Sequence, residues 1–169
     1  THDQAEAMTL ANRVAIMRTG KLQQFDTPMN IYNRPANRFV AEFVGSPGMN
    51  FIEGKVDAAS RSFTSDALSL TLEESQLATL NGHERVTFGV RPEHLEVSTA
   101  ERIGWLPASV YVTELMGNET FVFLRLGGDK IIARAPADFR AEMESRVWIE
   151  VDVQKALFFD SATGSAIRE

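Results

Sequence analysis

Thr120-Phe121-Val122-Phe123-Leu124-Arg125-Leu126-Gly127-Gly128-Asp129-Lys130-Ile131-Ile132-Ala133 is two β-branched and aromatic runs joined by a glycine turn. That composition specifies a β-hairpin, and it sets the fold class for most of the chain. Working outward, runs of the same kind recur at residues 51–58, 61–64, 68–72, 85–90, 106–115 and 147–153. Glycines 54, 82, 89, 104, 117, 127 and 128 punctuate them. Many short strands predict a small barrel or a sandwich, with one short helix over 138–144. No exact internal repeat is present.

Toward the N-terminus the pattern changes at Ser46-Pro47-Gly48, a breaker cluster that reads as a domain boundary. Before it, Asp3 followed by Glu6 resembles a capping box, predicting a helix over 4–13. Val14 to Arg18 and Lys21 to Phe25 flank Thr19-Gly20 as a second hairpin, whose strands need a sheet to join. Thr27-Pro28 opens a helix to about Asn33, which Arg34-Pro35 ends. Asn37 then caps a helix from Arg38 to Val44, with Phe39, Val40 and Phe43 on its apolar face and Gly45 as the stop.

Composition narrows the function. The 169 residues contain no cysteine, which removes disulfides and thiolate chemistry. The net charge of −6 lacks the basic footprint of a nucleic-acid reader. No window reaches the about 18 apolar residues of a membrane-spanning helix. His2, His83 and His94 stand in separate contexts without metal-ligand spacing. No G-x-x-x-x-G-K-[ST] loop occurs, so nothing in these residues cradles nucleotide phosphates in the usual way. Arg91-Pro92-Glu93-His94 reads either as a proline-fixed strand end or as an exposed recognition surface, the first being favoured. Trp105 and Trp148 read as core or interface anchors.

A denser signal runs through the first 50 residues. Thr1-His2-Asp3-Gln4 with Glu6-Ala7-Met8-Thr9-Leu10-Ala11 resembles the switch-histidine segment of ATP-binding cassette (ABC) import ATPases. Arg13 to Met17, Phe25-Asp26-Thr27-Pro28, Ile31-Tyr32, Arg34-Pro35-Ala36-Asn37 and Phe39 to Gly45 follow in that family's order. Ser46-Pro47-Gly48-Met49-Asn50-Phe51 resembles the junction of the subfamily serving carbohydrate or glycerol-phosphate importers, the maltose-transporter type. Gly89-Val90-Arg91-Pro92-Glu93-His94-Leu95 and Met116-Gly117-Asn118-Glu119-Thr120 look like its two regulatory signatures. Near the C-terminus, Ala156-Leu157-Phe158-Phe159-Asp160 departs from the family by lacking a histidine.

The resemblance implies a mainly β fold: a tandem OB-fold-like (TOBE) barrel regulatory domain preceded by a short α/β tail of an ABC ATPase domain. Residues 1–45 would be that tail, 46–51 the junction and 52–169 the regulatory domain. It implies the C-terminal part of an ABC importer's ATP-binding subunit, for sugars or related polyols or glycerol phosphate. His2 would be the catalytic switch histidine in the full-length dimer, donating toward a γ-phosphate. Arg91, Pro92, Glu93, His94, Gly117, Asn118 and Glu119 would be regulatory. ATP and Mg belong to the parent; this piece alone is not expected to hydrolyse ATP. The implied partners are a second copy, transmembrane permease subunits and a cytoplasmic regulator, at the inner face of the cell membrane, with no nucleic acid. A freestanding oxyanion- or small-ligand-binding TOBE module is the alternative.

Overall fold

The computed structural model describes residues 1 and 3–168. Helix α1 (Gln4–Leu10) begins where the Asp3 side chain accepts from Glu6 N at 2.9 Å. It ends three residues earlier than predicted, because Ala11 is already extended as the chain turns into the hairpin of β1 (Val14–Arg18) and β2 (Lys21–Asp26). Thr27 and Asn37 cap α2 (Pro28–Asn33) and α3 (Arg38–Phe43), as their sequence positions require. Ile16, Ile31, Val40 and Val44 form a small core under this segment. The two-stranded sheet has no third strand among the described residues, and Met17, Leu22 and Phe25 on it are more than half exposed.

From Asn50 onward the chain is mostly strand: β3 (Asn50–Asp57), β4 (Ser62–Thr64), β5 (Ser69–Thr71), β6 (Arg85–Val90), β7 (Leu95–Ser98), β8 (Leu106–Leu115), β9 (Glu119–Leu126), β10 (Asp129–Pro136), β11 (Arg146–Val151), β12 (Leu157–Asp160) and β13 (Ala166–Ile167). They build two antiparallel, barrel-like sheets, ordered β13-β12-β6-β3-β4-β5 and β10-β9-β8-β11-β7. The five-stranded sheet uses β7 to β11 in one stretch, and β12 and β13 then return to the first sheet. One core joins them, with Ile52, Phe63 and Phe88 from the six-stranded sheet against Val110, Leu124, Ile131 and Ile149 from the five-stranded sheet. Phe63, Phe88 and Phe158 pack with centroids 5.2–6.4 Å apart, a geometry that adds about 0.5–1.5 kcal/mol per pair beyond area burial.

The β9–β10 hairpin pairs Leu126 with Asp129, as its sequence predicts. Gly127 supplies φ +59, the left-handed value that such a two-residue loop needs at its first position. The expected helix over 138–144 is absent. The Arg140 guanidinium donates to Ala137 O and Phe139 O, Glu144 adopts φ +63, and Glu144 N donates to Val110 O instead. A seven-residue stretch has too little intrinsic helicity to resist that competition. An unpredicted helix, α4 (Glu74–Thr79), forms where the Gln76 side chain accepts from Glu73 N and donates to Val153 O. β7, β12 and β13 also lie outside the predicted runs.

Gly54 is fixed by packing. A Cβ there would lie 2.4 Å from the Phe63 ring and 2.5 Å from Thr64 O. Gly54→Ala is expected to lower stability by about 1–3 kcal/mol in urea titration. Gly128→Ala, where a Cβ meets nothing within 4 Å, is expected to change it by less than about 0.5 kcal/mol.

Candidate functional site

The Arg91-Pro92-Glu93-His94 motif follows β6 directly. Pro92 opens a 3₁₀ turn (Pro92–His94) that ends the strand and aims Arg91 back toward the helices. Arg91 is 3% exposed. Its guanidinium donates to Val44 O at 2.8 Å and to Tyr32 O at 2.6 Å, and lies 3.6 Å over the Tyr32 ring. Val44 caps α3 and Tyr32 lies in the last turn of α2. Both carbonyls therefore belong to helix ends, which carry partial negative charge and lack intrahelical donors. One planar fork with five N–H groups serves both and stacks on an aromatic face. Gly45, at φ +117, permits the approach: a Cβ there would stand 3.0 Å from the guanidinium nitrogen.

Tyr32 completes the arrangement, its hydroxyl donating to the Glu93 carboxylate. Burial, then the Glu93 bond, pushes the phenol up to about 12. Burial holds Arg91 below its ordinary value, against the opposing influence of Glu93 and Tyr32. The strand-end reading of this motif thus fits the geometry, and Arg91 clasps residues 1–45 to the sheets. His94 O accepts from Asp152 N at 3.0 Å, while its Nδ1 is buried with no hydrogen-bond partner among the described residues.

The second motif lies at the β8–β9 turn. Gly117, at φ +94, and Asn118 are exposed there, and Met116 N donates to Glu119 O at 2.8 Å. Glu119 points elsewhere: its carboxylate is 2.6 Å from Arg134 Nε on β10. β10 packs against the Pro92–His94 turn, and the Arg134 charge is felt at Tyr32, where it opposes the rise in pKa. The structure therefore brings Glu119 to the edge of the clasp and leaves Gly117 and Asn118 outside it. His2 lies outside the described residues.

Other residues at this junction were not singled out from sequence. The Asn50 amide accepts from Ile132 N at 2.7 Å and donates to Ile132 O at 2.8 Å, occupying a gap in the free edge of β10. The Glu53 carboxylate gathers Arg38, Thr87 and Ser161, each at 2.8 Å. Around β13, Ala166 N donates to Ala36 O, Arg38 N to Gly164 O, and Arg168 to Arg34 O and Pro35 O. Most of these acceptors are backbone carbonyls, which leave no mark in a sequence.

The MalK OB fold domain family matches residues 45–95, and the TOBE domain family matches residues 88–159. The uncharacterized ABC transporter ATP-binding protein YcjV of Escherichia coli O157:H7 is 40% identical over 172 residues, 99% of this chain and 47% of that protein. The multiple sugar-binding transport ATP-binding protein MsmK of Streptococcus mutans is 38% identical over 99% of this chain and 49% of its own length. The osmoprotective compounds uptake ATP-binding protein GgtA of Synechocystis is 38% identical over 99% and 47%. The chain belongs to the family of ABC transporter ATP-binding proteins with MalK-type OB and TOBE domains. It spans about half the length of the curated relatives it matches. The molybdate-bound form of the cytoplasmic molybdate-binding protein ModG shares the fold at TM-score 0.50 and 15% identity, covering 64% of this chain and 94% of that one.

Arg91→Lys keeps the charge but not the fork, and is expected to lower stability by about 1–3 kcal/mol in denaturant titration. Tyr32 also predicts a pH response. Its folded-state value of about 12 exceeds the ordinary 10.0, so the folded chain keeps this proton after the unfolded chain begins to lose it. The stabilisation is whole below pH 10.0 and declines as pH rises toward about 12. In a comparison of alkaline unfolding curves, Tyr32→Phe is expected to lack that part of the decline.

Proposed function

We propose that this chain is the regulatory, C-terminal part of the ATP-binding subunit of an ABC importer for sugars or related polyols or glycerol phosphate. The observation that carries the reading is the 38% identity to MsmK across 99% of the chain, together with the MalK-type OB match at the junction. Residues 1–45 would close a nucleotide-binding domain, and the partly exposed β1–β2 hairpin, with Met17, Leu22 and Phe25 outward, supports a sheet continued by further strands of that domain. His2 would then donate to the γ-phosphate of ATP, with Mg and the remaining catalytic groups supplied by other parts of the parent. The parent couples ATP hydrolysis to import, working as a homodimer on permease subunits at the cytoplasmic membrane face. Arg91 to His94 and Gly117 to Glu119 would serve regulation, including response to a cytoplasmic regulator.

The alternative, an oxyanion-binding module, draws only on the fold shared with ModG. Charge placement weighs against it. In a groove of about 460 Å³, Arg38 stacks on Phe51 and pairs with Glu53, while Lys130 sits over Tyr111. In a second recess of about 460 Å³, Lys55 and Arg85 face Glu53, Asp66 and Asp129. Burial, then the neighbouring Asp66 and Glu53 charges, pushes the Asp129 carboxyl up.

Reading the coding sequence upstream of Thr1 over roughly 200 residues is expected to reveal G-x-x-x-x-G-K-[ST] and a signature loop. In the parent reconstituted with its permease, His2→Ala is expected to lower ATP hydrolysis by about a hundredfold or more. A start codon beside Thr1, or a molybdate-dependent rise in melting temperature of the 169-residue chain, would favour the alternative.

A further inference from the structure

Two motifs far apart in sequence meet at one place in the fold. Arg91 is the buried cation that holds the ends of α2 and α3, and Glu93 receives the Tyr32 hydroxyl beside it. Arg134 reaches the same neighbourhood from β10, the strand packed against the Pro92–His94 turn, and its own carboxylate partner is Glu119 at 2.6 Å. Glu119 stands at the root of the β8–β9 turn, whose Leu115, Met116, Gly117 and Asn118 are all exposed. Two partnered carboxylates, Glu119 on Arg134 and Glu93 on the Tyr32 hydroxyl, thus form a string from the exposed turn across the β10 contact to the Tyr32 ring and Arg91 at the helix ends. The string is balanced only while each carboxylate keeps its partner.

We propose that Glu119, Arg134, Tyr32, Glu93 and Arg91 form one coupled unit, through which the position of the exposed β8–β9 turn is felt at the ends of α2 and α3. Displacement of the turn withdraws Glu119 from Arg134. The freed guanidinium then competes with the Tyr32 hydroxyl for Glu93, and the Tyr32 ring loses its tether. Both changes loosen the grip on Val44 O and Tyr32 O. The turn is where a contact is sensed, and the α2–α3 pair is where it is reported. Glu119 and Arg134 act here as positioning residues, working on the clasp without touching the helix-end carbonyls. This coupling is a property of the chain itself and stands apart from the importer reading, so either is able to fail alone.

The test is residue-resolved hydrogen exchange on the 169-residue chain. The Arg34 and Val44 amides, which donate to Asn30 O and Val40 O, report the ends of α2 and α3. Glu119→Gln is expected to speed exchange at both by about threefold or more. Glu114→Gln, an exposed site on the same β8 strand, is expected to leave them unchanged. Combining Glu119→Gln with Tyr32→Phe is expected to speed exchange by less than the product of the two single effects, because both act on one unit. Faster exchange confined to β8 and β9, or single effects that multiply independently, would overturn the proposal. Circular dichroism matching the parent chain establishes that each variant is folded.

Discussion

A single buried guanidinium fixes how the first 45 residues meet the sheets. Arg91 is drawn out of water by two helix-end carbonyls and an aromatic face. A charge so placed is tolerated only while those acceptors stay in position, because without them it would be buried and unpaired. The dependence runs both ways: the carbonyls at Val44 and Tyr32 would be unsatisfied helix ends without it. Several neighbouring choices follow from this one constraint. Pro92 turns the strand so that Arg91 faces inward, Gly45 leaves room for it, and Glu93 ties down the tyrosine on which it stacks.

The sheets supply the rigid frame in which that clasp works. Because β12 pairs with β6, the six-stranded sheet is built from two separate stretches of chain, and the whole five-stranded sheet, β7 to β11, is inserted between them. The shared core of Phe63, Phe88, Val110, Leu124 and Ile149 then makes the two sheets one packed body, since interiors at native density do not slide past one another. β10 is an edge strand of the five-stranded sheet, and the Asn50 side chain pairs with it as a short backbone segment would. An edge treated in this way offers less to stray strand pairing.

Local chemistry made much of the fold readable in the sequence. Thr27-Pro28 and Asn37 placed the starts of α2 and α3, and Gly127-Gly128 placed the β9–β10 hairpin, because caps and tight turns depend on residues next to one another. Short strands such as β12 and β13 went unread, since Leu157 to Asp160 becomes a strand only by pairing with β6, far away in sequence. Residues 138–144 misled for the opposite reason: their helical pattern was overridden by an Arg140 side chain bonded to their own carbonyls. At the junction, Arg91 and Glu119 were visible through resemblance, while Tyr32, Asn50 and Arg134 had no stated role. What sets those residues apart is the tertiary placement of backbone groups and of the carboxylates Glu93 and Glu119, which periodicity does not record.

The return of β12 and β13 to the first sheet has a consequence for the order in which the molecule is assembled. Gly164 and Ala166 bind Arg38 and Ala36 at the start of α3, so this helix is held by residues more than a hundred positions later. A ribosome delivers these partners seconds apart, at about 5–20 residues each second. The helical segment and β3 to β6 must therefore wait, with one flank of the sheet unpaired, until β12 and β13 emerge. Contacts of such long sequence separation slow folding, and the architecture makes docking of the helices a late event in biosynthesis.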